Sequence, residues 1–224
     1  MKSQKQIFKA SEANGWFDRN KTPHVFIANK ENIIVDFLKE IELIPKKVLE
    51  IGCSNGFRLN QIREEFHCEC FGIDPSSKAI KCGNKKFPNI VLNIGTADEL
   101  HFENYSFDTI IFGFCLYLCD RRDLFRIAYE TDRCLKDKGT VIITDFYPPF
   151  PYKNRYSHHK EVFSYKMNYS RMFTWNPSYT EVANVVYSHS GYKLRDIPDE
   201  RVGTIILRKN EQVAFPLEPF KNNS

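Results

Sequence analysis

Apolar residues near the amino terminus recur with the period of an α-helix. Between residues 29 and 44 they stand at Ile33, Ile34, Phe37, Leu38 and Ile41. Positions with this spacing share one face of a helix, and the proline that follows residue 44 is typical of a helix end. The pattern therefore predicts an amphipathic helix that buries one face and runs up to Pro45.

Apolar runs and amphipathic stretches then alternate along the chain. The runs predict five strands, at residues 47–51, 68–73, 90–94, 107–114 and 140–144. Helical periodicity between them predicts helices at residues 57–65, 77–86 and 123–135. Alternation of this kind predicts an α/β fold with a doubly wound, Rossmann-like, mostly parallel sheet and helices on both faces.

The alternation stops after Asp145. Residues 146–177 contain prolines, tyrosines and two adjacent histidines without a regular period. A connection of this length is uncommon unless it has a function, so these residues are expected to form a lid over a site.

Regular structure is expected again near the carboxyl terminus. Ser178, with Glu181 three residues later, has the spacing of a helix-capping pair, which predicts a helix over residues 178–191. Residues 192–196 and 204–208 predict two closing strands, which would make the sheet seven-stranded.

Composition and charge limit the classes of protein to which this chain can belong. With 224 residues, 42% of them apolar, a single domain is expected. No apolar run approaches the roughly eighteen residues of a membrane span, and no signal-type stretch follows the first residues, so a cytoplasmic protein is expected. The net charge of +4 is spread along the chain without a basic stripe, which argues against a nucleic-acid partner.

The seven cysteines favour a reducing compartment over a disulfide framework. Their number is odd, and none form a C-x-x-C pair. Cys68 and Cys70 are close in sequence, but side chains expected on opposite sides of a strand make a poor chelate for a tetrahedral metal. No metal site is predicted.

A strand that ends in glycines is the most informative motif. Gly52 follows the apolar run 48–51, Gly56 comes four residues later, and the next apolar run ends at Asp74. The first glycine lets the chain turn sharply, and the second lets the backbone approach a ligand at a helix start, where unpaired N–H groups point outward. An acid after the next strand suits the two hydroxyls of a ribose. Together they predict a nucleoside-containing cofactor.

Five landmarks follow one another along residues 45–210. They are Glu50 to Gly56, Asp74, Gly95 to Asp98, Phe107 to Ile111 with the following Phe114 to Leu118, and Leu135 to Gly139. Each could be a simple turn or helix cap, because short motifs alone match by chance. In their joint order and spacing they resemble the class I S-adenosylmethionine-dependent methyltransferases, whose first motif is E/D-x-G-x-x-x-G.

Two other enzyme classes match part of the pattern. Residues 52–56 also satisfy G-x-S-x-G, the nucleophile elbow of α/β-hydrolases, with Ser54 as nucleophile. Several strands precede that elbow in hydrolases, whereas one clear helix precedes Ser54 here. A dinucleotide-binding dehydrogenase would have glycines at Ser54 and Phe57. Both alternatives are therefore weaker than the methyltransferase interpretation.

The resemblance implies a cofactor, S-adenosylmethionine, with S-adenosylhomocysteine as product, and the residues that bind it. Those within the landmarks are Glu50, Gly52, Cys53, Ser54, Gly56, Asp74, Pro75, Ala97, Asp98, Phe114 and Tyr117. Residues 1–44 would close the cofactor pocket, with Arg19 reaching the methionine carboxylate. The core would span residues 45–210, and residues 211–224 would be a tail.

The methyl acceptor is expected under the lid. His158 and His159 are the first candidates for a base, because imidazole titrates near neutral pH, and Tyr165 is the third. Aromatic faces stack on rings and cations pair with phosphate. On this ground the substrate-binding residues are expected to be Trp16, Tyr147, Tyr152, Arg155, Lys166 and Tyr169.

The expected reaction is methyl transfer to a small molecule, at an oxygen of a sugar- or phosphate-containing precursor. The aromatic arm and lid are similar to those of methyltransferases in bacterial capsule and O-antigen assembly, including O-methyl phosphoramidate formation. An RNA methyltransferase and a cofactor-binding module without catalysis remain alternatives.

Overall fold

The structure is a computed structural model that describes residues 2–21, 32–191 and 197–218. Its strands are β1 (Lys47–Ile51), β2 (Glu69–Asp74), β3 (Val91–Ile94), β4 (Phe107–Gly113), β5 (Leu135–Phe146), β6 (Tyr152–Arg155), β7 (Phe163–Lys166), β8 (Tyr179–Ser188) and β9 (Arg201–Lys209). Seven of them form one sheet in the order β3-β2-β1-β4-β5-β9-β8, while β6 and β7 form a separate hairpin.

Helices lie before, between and after these strands. They are α1 (Gln4–Ile7), which continues through a π-helical segment (Phe8–Glu12) into α2 (Ala13–Asn20), then α3 (Ile33–Glu40), α4 (Phe57–Phe66), α5 (Ser77–Lys86), α6 (Leu124–Cys134), α7 (Arg171–Thr174) and α8 (Glu211–Ala214). The continuous helical stretch from Gln4 to Asn20 is called the amino-terminal arm below.

Strands β1 to β5 are parallel to their neighbours within this group. β1 pairs in parallel with both β2 and β4, and β5 pairs in parallel with β4. β9 runs antiparallel to both of its neighbours, β5 and β8. The carboxyl ends of β1, β2, β4 and β5 therefore lie at one edge of the sheet, where open α/β sheets bind their ligands. The predicted α/β fold with a seven-stranded, mostly parallel sheet is confirmed.

Both faces of the sheet are buried because residues along the central strands alternate between two apolar layers. In β4, Ile110 and Phe112 belong to one layer, together with Leu49 of β1. Ile111 belongs to the other layer, together with Val48. Each fully buried side chain of this size stabilises the fold by roughly 1.5–3 kcal/mol. This two-sided burial explains why the strands read as apolar runs.

The helix predicted over residues 178–191 is wrong, because this segment forms strand β8. Thr180, Val182, Val185 and Val186 are β-branched, and such residues favour a strand when a partner strand is available. β9 provides that partner along the whole of β8. The Ser178–Glu181 pair does not cap a helix; Glu181 instead accepts hydrogen bonds from Ser170 Oγ and Asn184 Nδ2.

Other boundaries differ less. The strand predicted at 140–144 extends from Leu135 to Phe146, with a register shift that absorbs the expected turn before Thr140. The expected lid contains the β6–β7 hairpin and α7. The closing strand predicted at 192–196 lies outside the described residues, as do residues 29–31 of the first predicted helix.

The structure bears on the expectations about membrane spans, cysteines and metal ions. Among the described residues, no helix is long and apolar enough to cross a membrane. The thiols of Cys68 and Cys70 lie on the same side of the chain, 3.5 Å apart, so the expectation of opposite sides is wrong. The described part of the chain has no cluster of three or more side chains that could hold a metal.

Candidate functional site

The glycine turn after β1 has the geometry that only glycine adopts easily. Gly52 has a φ of +76°, and its N–H donates to the Ile73 carbonyl at 2.9 Å. A Cβ at this position would lie 2.6 Å from the Cβ of Cys115. A Cβ at Gly113 would lie 2.6 Å from Glu50 Oε1. The ends of β1 and β4 are therefore closer than two side chains would allow.

Asp74 connects this turn to the end of β2. Its Oδ2 accepts the Ser54 N–H at 2.9 Å, and its Oδ1 accepts the Ser76 N–H at 2.8 Å. Burial raises the pKa of Asp74 to about 6, although both backbone hydrogen bonds favour the charged form. The carboxylate has lone pairs beyond these two bonds, so it can accept the hydroxyls of a ribose.

Glu50 lies directly behind the turn and is 1% exposed. Its Oε1 is 3.2 Å from Arg58 Nε, and burial raises its pKa despite this cation. Its Oε2 and the Ser54 hydroxyl are buried and have no hydrogen-bond partner among the described residues. Buried polar atoms normally have partners, so two such atoms beside one turn point to a polar ligand.

A cleft opens at this edge of the sheet. Eight predicted site residues line it, namely Trp16, Gly52, Ser54, Asp74, Pro75, Ala97, Asp98 and Phe114. The structure thus brings most of the predicted cofactor residues to one cavity.

Other predicted cofactor residues lie behind or outside the cleft lining. Cys53 packs against Gly72, and Gly56 faces Leu92 with a φ of +72° at the start of α4. Tyr117 is buried in the aromatic cluster described below. The roles of Cys53, Gly56 and Tyr117 in cofactor binding remain predictions. Cys53 and Gly56 also have a structural role, because each allows close packing at the turn.

Arg19 of the amino-terminal arm does not line the cleft. Its guanidinium pairs with Glu12 and donates to the Tyr156 hydroxyl at 3.3 Å. The arm is nevertheless one wall of the cleft, through Trp16 and two residues that the sequence did not indicate, Lys5 and Phe8.

Lys5 holds the arm against the landmark segment Gly95 to Asp98. Its ammonium pairs with Asp98 and lies 3.2 Å from Asp123. Burial opposes ionisation of Asp98, but the hydrogen bond from Lys5 prevails and lowers the pKa of this carboxyl. The carboxylate of Asp120 accepts the backbone N–H groups of Gln4 and Lys5 at 3.2 and 2.9 Å.

The predicted bases lie in the β6–β7 hairpin. His158 is exposed at its turn beside the Tyr156 ring. His159 Nδ1 accepts the Glu161 N–H at 3.3 Å within the same turn. The ring of Tyr165 stacks under the Arg121 guanidinium, 4.5 Å from its centroid. None of the three lines the cleft.

The predicted substrate residues of the hairpin region have partners within the chain. Lys166 Nζ donates to the Asp199 carboxylate at 2.9 Å, and the Tyr152 hydroxyl donates to the same carboxylate. The Arg155 side chain is exposed and lies across the Phe163 ring. These contacts attach the hairpin to the turn before β9.

Tyr169 and Tyr147 pack within the fold. Tyr169 is 1% exposed, and its hydroxyl donates to the Tyr165 carbonyl at 2.6 Å. The ring of Tyr147 covers Gly203 of β9. A role for either residue in acceptor binding remains a prediction.

Sequence reasoning missed an aromatic cluster at the carboxyl ends of β4 and β5. It consists of Phe114, Tyr117, Phe146 and His189, with ring centroids 5.0–5.8 Å apart for the five contacting pairs. Phe114 and Tyr117 were expected to bind cofactor, but Phe146 and His189 had no assigned role. His189 follows β8, the segment mistaken for a helix, so its position could not be inferred.

Comparison with known proteins agrees with this geometry. The family described as "Methyltransferase domain" matches residues 48–139, which include the glycine turn, Asp74 and Asp98. This match covers less than half of the chain, and the sheet has the class I methyltransferase fold. The demethylmenaquinone methyltransferase of Thermotoga maritima is 34% identical over 112 residues, or 49% of this chain and 47% of that enzyme. The match thus spans about half of the relative's length.

Solved structures share the fold of this domain over most of the chain. An N-methyltransferase, NodS from Bradyrhizobium japonicum, in complex with S-adenosylhomocysteine, has a TM-score of 0.66 at 15% identity and covers 89% of this chain and 99% of its own. The 1,6-didemethyltoxoflavin-N1-methyltransferase of Burkholderia thailandensis has a TM-score of 0.68 at 12% identity, covering 92% and 90%.

S-adenosylmethionine is the cofactor of this fold, and the residues present fit it. Asp74 is an acceptor facing the cleft, the Gly52 turn allows close approach of a ligand, and the unpartnered Glu50 Oε2 and Ser54 Oγ lie beside that turn. A hydrolase nucleophile would need a base, and Ser54 Oγ has no partner among the described residues.

Proposed function

We propose that this protein transfers a methyl group from S-adenosylmethionine to a small-molecule acceptor. The observation that carries the proposal is the Asp74 carboxylate, held by two backbone N–H groups at the end of β2 and directed into the cleft beside the Gly52 turn. This is the arrangement that a ribose requires, within a domain of the matching family.

The cofactor supplies an activated, positively charged methyl donor, so the protein mainly aligns the reactants and excludes water. Asp74 accepts the ribose hydroxyls, and the glycine turn lets the backbone approach the ligand. The amino-terminal arm covers the cleft through Phe8 and Trp16, whose apolar surfaces keep water out. Asp98 marks the far end of the site, where its carboxylate is already paired with Lys5.

The relatives guide the proposed class of acceptor. The names of the Thermotoga and Burkholderia enzymes specify small molecules, demethylmenaquinone and 1,6-didemethyltoxoflavin. We extend this to the present chain as a small-molecule acceptor, methylated at oxygen. The narrower interpretation, a sugar- or phosphate-containing precursor, depends on the exposed hairpin cations Lys153, Arg155 and Lys160. Of the cations once expected to bind phosphate, Lys166 is paired with Asp199, which weakens that interpretation.

Calorimetric titration with S-adenosylhomocysteine tests the proposal. Wild-type protein should bind it, and Asp74→Ala should lower the affinity at least about tenfold, because a hydrogen bond to a charged acceptor contributes roughly 1.5–3 kcal/mol. Glu103→Ala, which removes an exposed acid outside the cleft, is the control and should bind as the wild type does. Absence of binding to the wild type, or equal affinity in Asp74→Ala, would overturn the cofactor assignment.

A further inference from the structure

The aromatic cluster of Phe114, Tyr117, Phe146 and His189 lies between the cofactor cleft and solvent. Phe114 lines the cleft, whereas His189 is exposed. The rings of these two residues are 5.3 Å apart, and Phe146 contacts both. The cluster therefore forms a continuous aromatic surface from solvent to the edge of the cleft.

Asp145 fixes the backbone that carries this surface. Its Oδ1 accepts the Phe146 N–H at 2.7 Å, and its Oδ2 accepts the Tyr117 N–H at 3.3 Å. Phe114 itself has a φ of +63°, which is unfavourable for a bulky residue, and its N–H donates to the Thr144 carbonyl at 2.9 Å. Backbone strain of this kind concentrates at functional sites.

His189 differs from the other histidines considered as bases. Its ring stacks on Phe146 at an interplanar angle of 21°, and no described residue hydrogen-bonds to either ring nitrogen. His158 and His159 lie in the exposed turn of the hairpin, where His159 Nδ1 is already bonded. Among the described residues, the His189 ring is thus an imidazole with an available nitrogen, one aromatic contact away from the cleft through Phe114.

The charges around His189 favour the neutral, proton-accepting imidazole. Although part of the ring is exposed, its desolvation against Phe114 and Phe146 lowers its pKa, the positive charge of Lys166 lowers it further, and Glu200 opposes them. Lys166 reaches the cluster because its ammonium lies 3.7 Å from the centroid of the Phe146 ring. An imidazole that is neutral near pH 7 can take a proton from a substrate.

We propose that the aromatic cluster is the acceptor site, that it takes a planar ring bearing an acidic hydroxyl, and that His189 is the base for that hydroxyl. This inference rests on the proposed methyltransferase function. Offset and edge-to-face contacts between aromatic rings contribute about 0.5–1.5 kcal/mol each beyond buried area, so a planar ring is the shape that this surface holds best.

The proposed step moves one proton and one methyl group. The acceptor hydroxyl gives its proton to a ring nitrogen of His189, while its oxygen forms a bond to the methyl carbon. The carbon–sulfur bond breaks, and its electron pair remains on sulfur, which loses its positive charge. The imidazolium then releases the proton to water, which the exposure of His189 permits.

The coloured phenolate of 4-nitrophenol provides a test that needs no cofactor. The probe is added at about pH 6, near the ordinary pKa of imidazole, to wild-type protein, to His189→Asn and to His67→Asn. His67 is an exposed histidine before β2, in a left-handed conformation that asparagine tolerates. Proton transfer to His189 leaves a phenolate beside an imidazolium, and their attraction stabilises the ionised probe. The ratio of phenolate to phenol in the bound probe should therefore rise about tenfold, one pKa unit, with wild type and His67→Asn but not with His189→Asn.

Two outcomes would overturn the assignment of the base: no rise with wild-type protein, or the same rise with His189→Asn.

Competition tests the acceptor class. Phenol should displace the probe, whereas cyclohexanol and glucose 6-phosphate should not; displacement by glucose 6-phosphate would favour the sugar-phosphate acceptor instead.

Calorimetry with S-adenosylhomocysteine on the same variants separates this inference from the proposed function. His189→Asn should keep the wild-type affinity and melting temperature. If no variant binds S-adenosylhomocysteine, the methyltransferase proposal fails while the probe still decides whether His189 accepts a proton. A His189→Asn protein that loses both probe ionisation and thermal stability would overturn the assignment as a base in favour of a structural role.

Discussion

Gly52 is the residue on which the geometry of the cleft most directly depends. Its positive φ turns the chain off β1, and the missing side chain leaves space that Cys115 occupies from the β4 side. Strand pairing holds β1 against β4 from Val48 to Ile51, so neither strand end can move away without breaking backbone hydrogen bonds. Any side chain at residue 52 therefore meets both steric and conformational strain.

We expect Gly52→Ala to lower the free energy of unfolding by about 1–3 kcal/mol and to abolish binding of S-adenosylhomocysteine. Urea denaturation and calorimetry would measure the two effects. The control is Gly15→Ala in α2, where the nearest atom to a new Cβ is the end of the flexible Arg19 side chain. That change should be neutral or stabilise by about 0.5–1 kcal/mol. Equal effects of the two changes on unfolding and on binding would show that the close approach of Gly52 to Cys115 is not needed for either.

At the scale of elements, the amino-terminal arm is held at two places. In α2, Asn14 Oδ1 accepts from Ser76 Oγ and the Lys78 N–H, and Asp18 pairs with Lys78. The second set of contacts lies at the start of α1. Asp120 accepts two N–H groups at the start of α1, Lys5 pairs with Asp98 and Asp123, and the Gln4 side chain bonds to the Leu118 carbonyl at 2.9 Å and the Phe163 N–H at 2.7 Å. All contacts of this second set lie at the first turn of the arm. Loss of that turn would loosen the part of the cleft wall formed by Lys5 and Phe8, while the sheet and the contacts of α2 remain intact.

Asp120→Ala should therefore loosen the arm. Removal of such a capping carboxylate costs about 0.5–2 kcal/mol, so the opening equilibrium of the arm should shift by roughly 2- to 30-fold. Hydrogen exchange of the backbone amides of residues 4–12 should accelerate, and bound S-adenosylhomocysteine should dissociate faster. Asp36→Ala, an exposed acid on α3, serves as the control. Unchanged exchange and dissociation in Asp120→Ala would mean that the arm is not a cover.

At the scale of the whole molecule, acids with raised pKa values control how stability depends on pH, and Glu50 is one of them. Burial raises the pKa of Asp145 to about 7 and that of Asp74 to about 6. In the unfolded chain both would titrate near 3.9. Between these values the folded protein holds more protons than the unfolded chain, so its stability decreases as pH rises from about 4 to about 7. The lowered pKa of His189 acts in the opposite direction within this window.

The expected decrease for the cofactor-free wild type is a few kcal/mol at most, since one pKa unit corresponds to about 1.4 kcal/mol. Urea denaturation at about pH 5 and pH 8 would measure it. Asp145→Asn, which cannot ionise, should reduce the difference between the two pH values, whereas Asp36→Asn should not. A wild-type stability that rises between these pH values would contradict the assignment of the two raised pKa values.

Much of the cofactor side of the site could be predicted from the sequence because its residues follow strands in a regular order. Gly52 and Asp74 each come directly after an apolar run, and Asp98 follows the run 90–94 by four residues. Parallel strands bring the carboxyl ends of these runs to one edge. The acceptor side could not be predicted in the same way. Its residues lie in segments without a period, and Ser178 with Glu181 imitated a helix start where pairing with β9 decides the structure.

The sequence by itself determined the α/β fold and the location of the cofactor cleft, because local periodicity and the needs of a tight turn are properties of neighbouring residues. Tertiary structure alone decided which side chains were already paired and which were not. Lys166 forms an ion pair with Asp199, and His159 is hydrogen-bonded within its turn. His189, more than forty residues beyond Asp145 in the chain, packs against Phe146. Contacts between distant segments depend on how the hairpin and β8 pack, which no local pattern encodes.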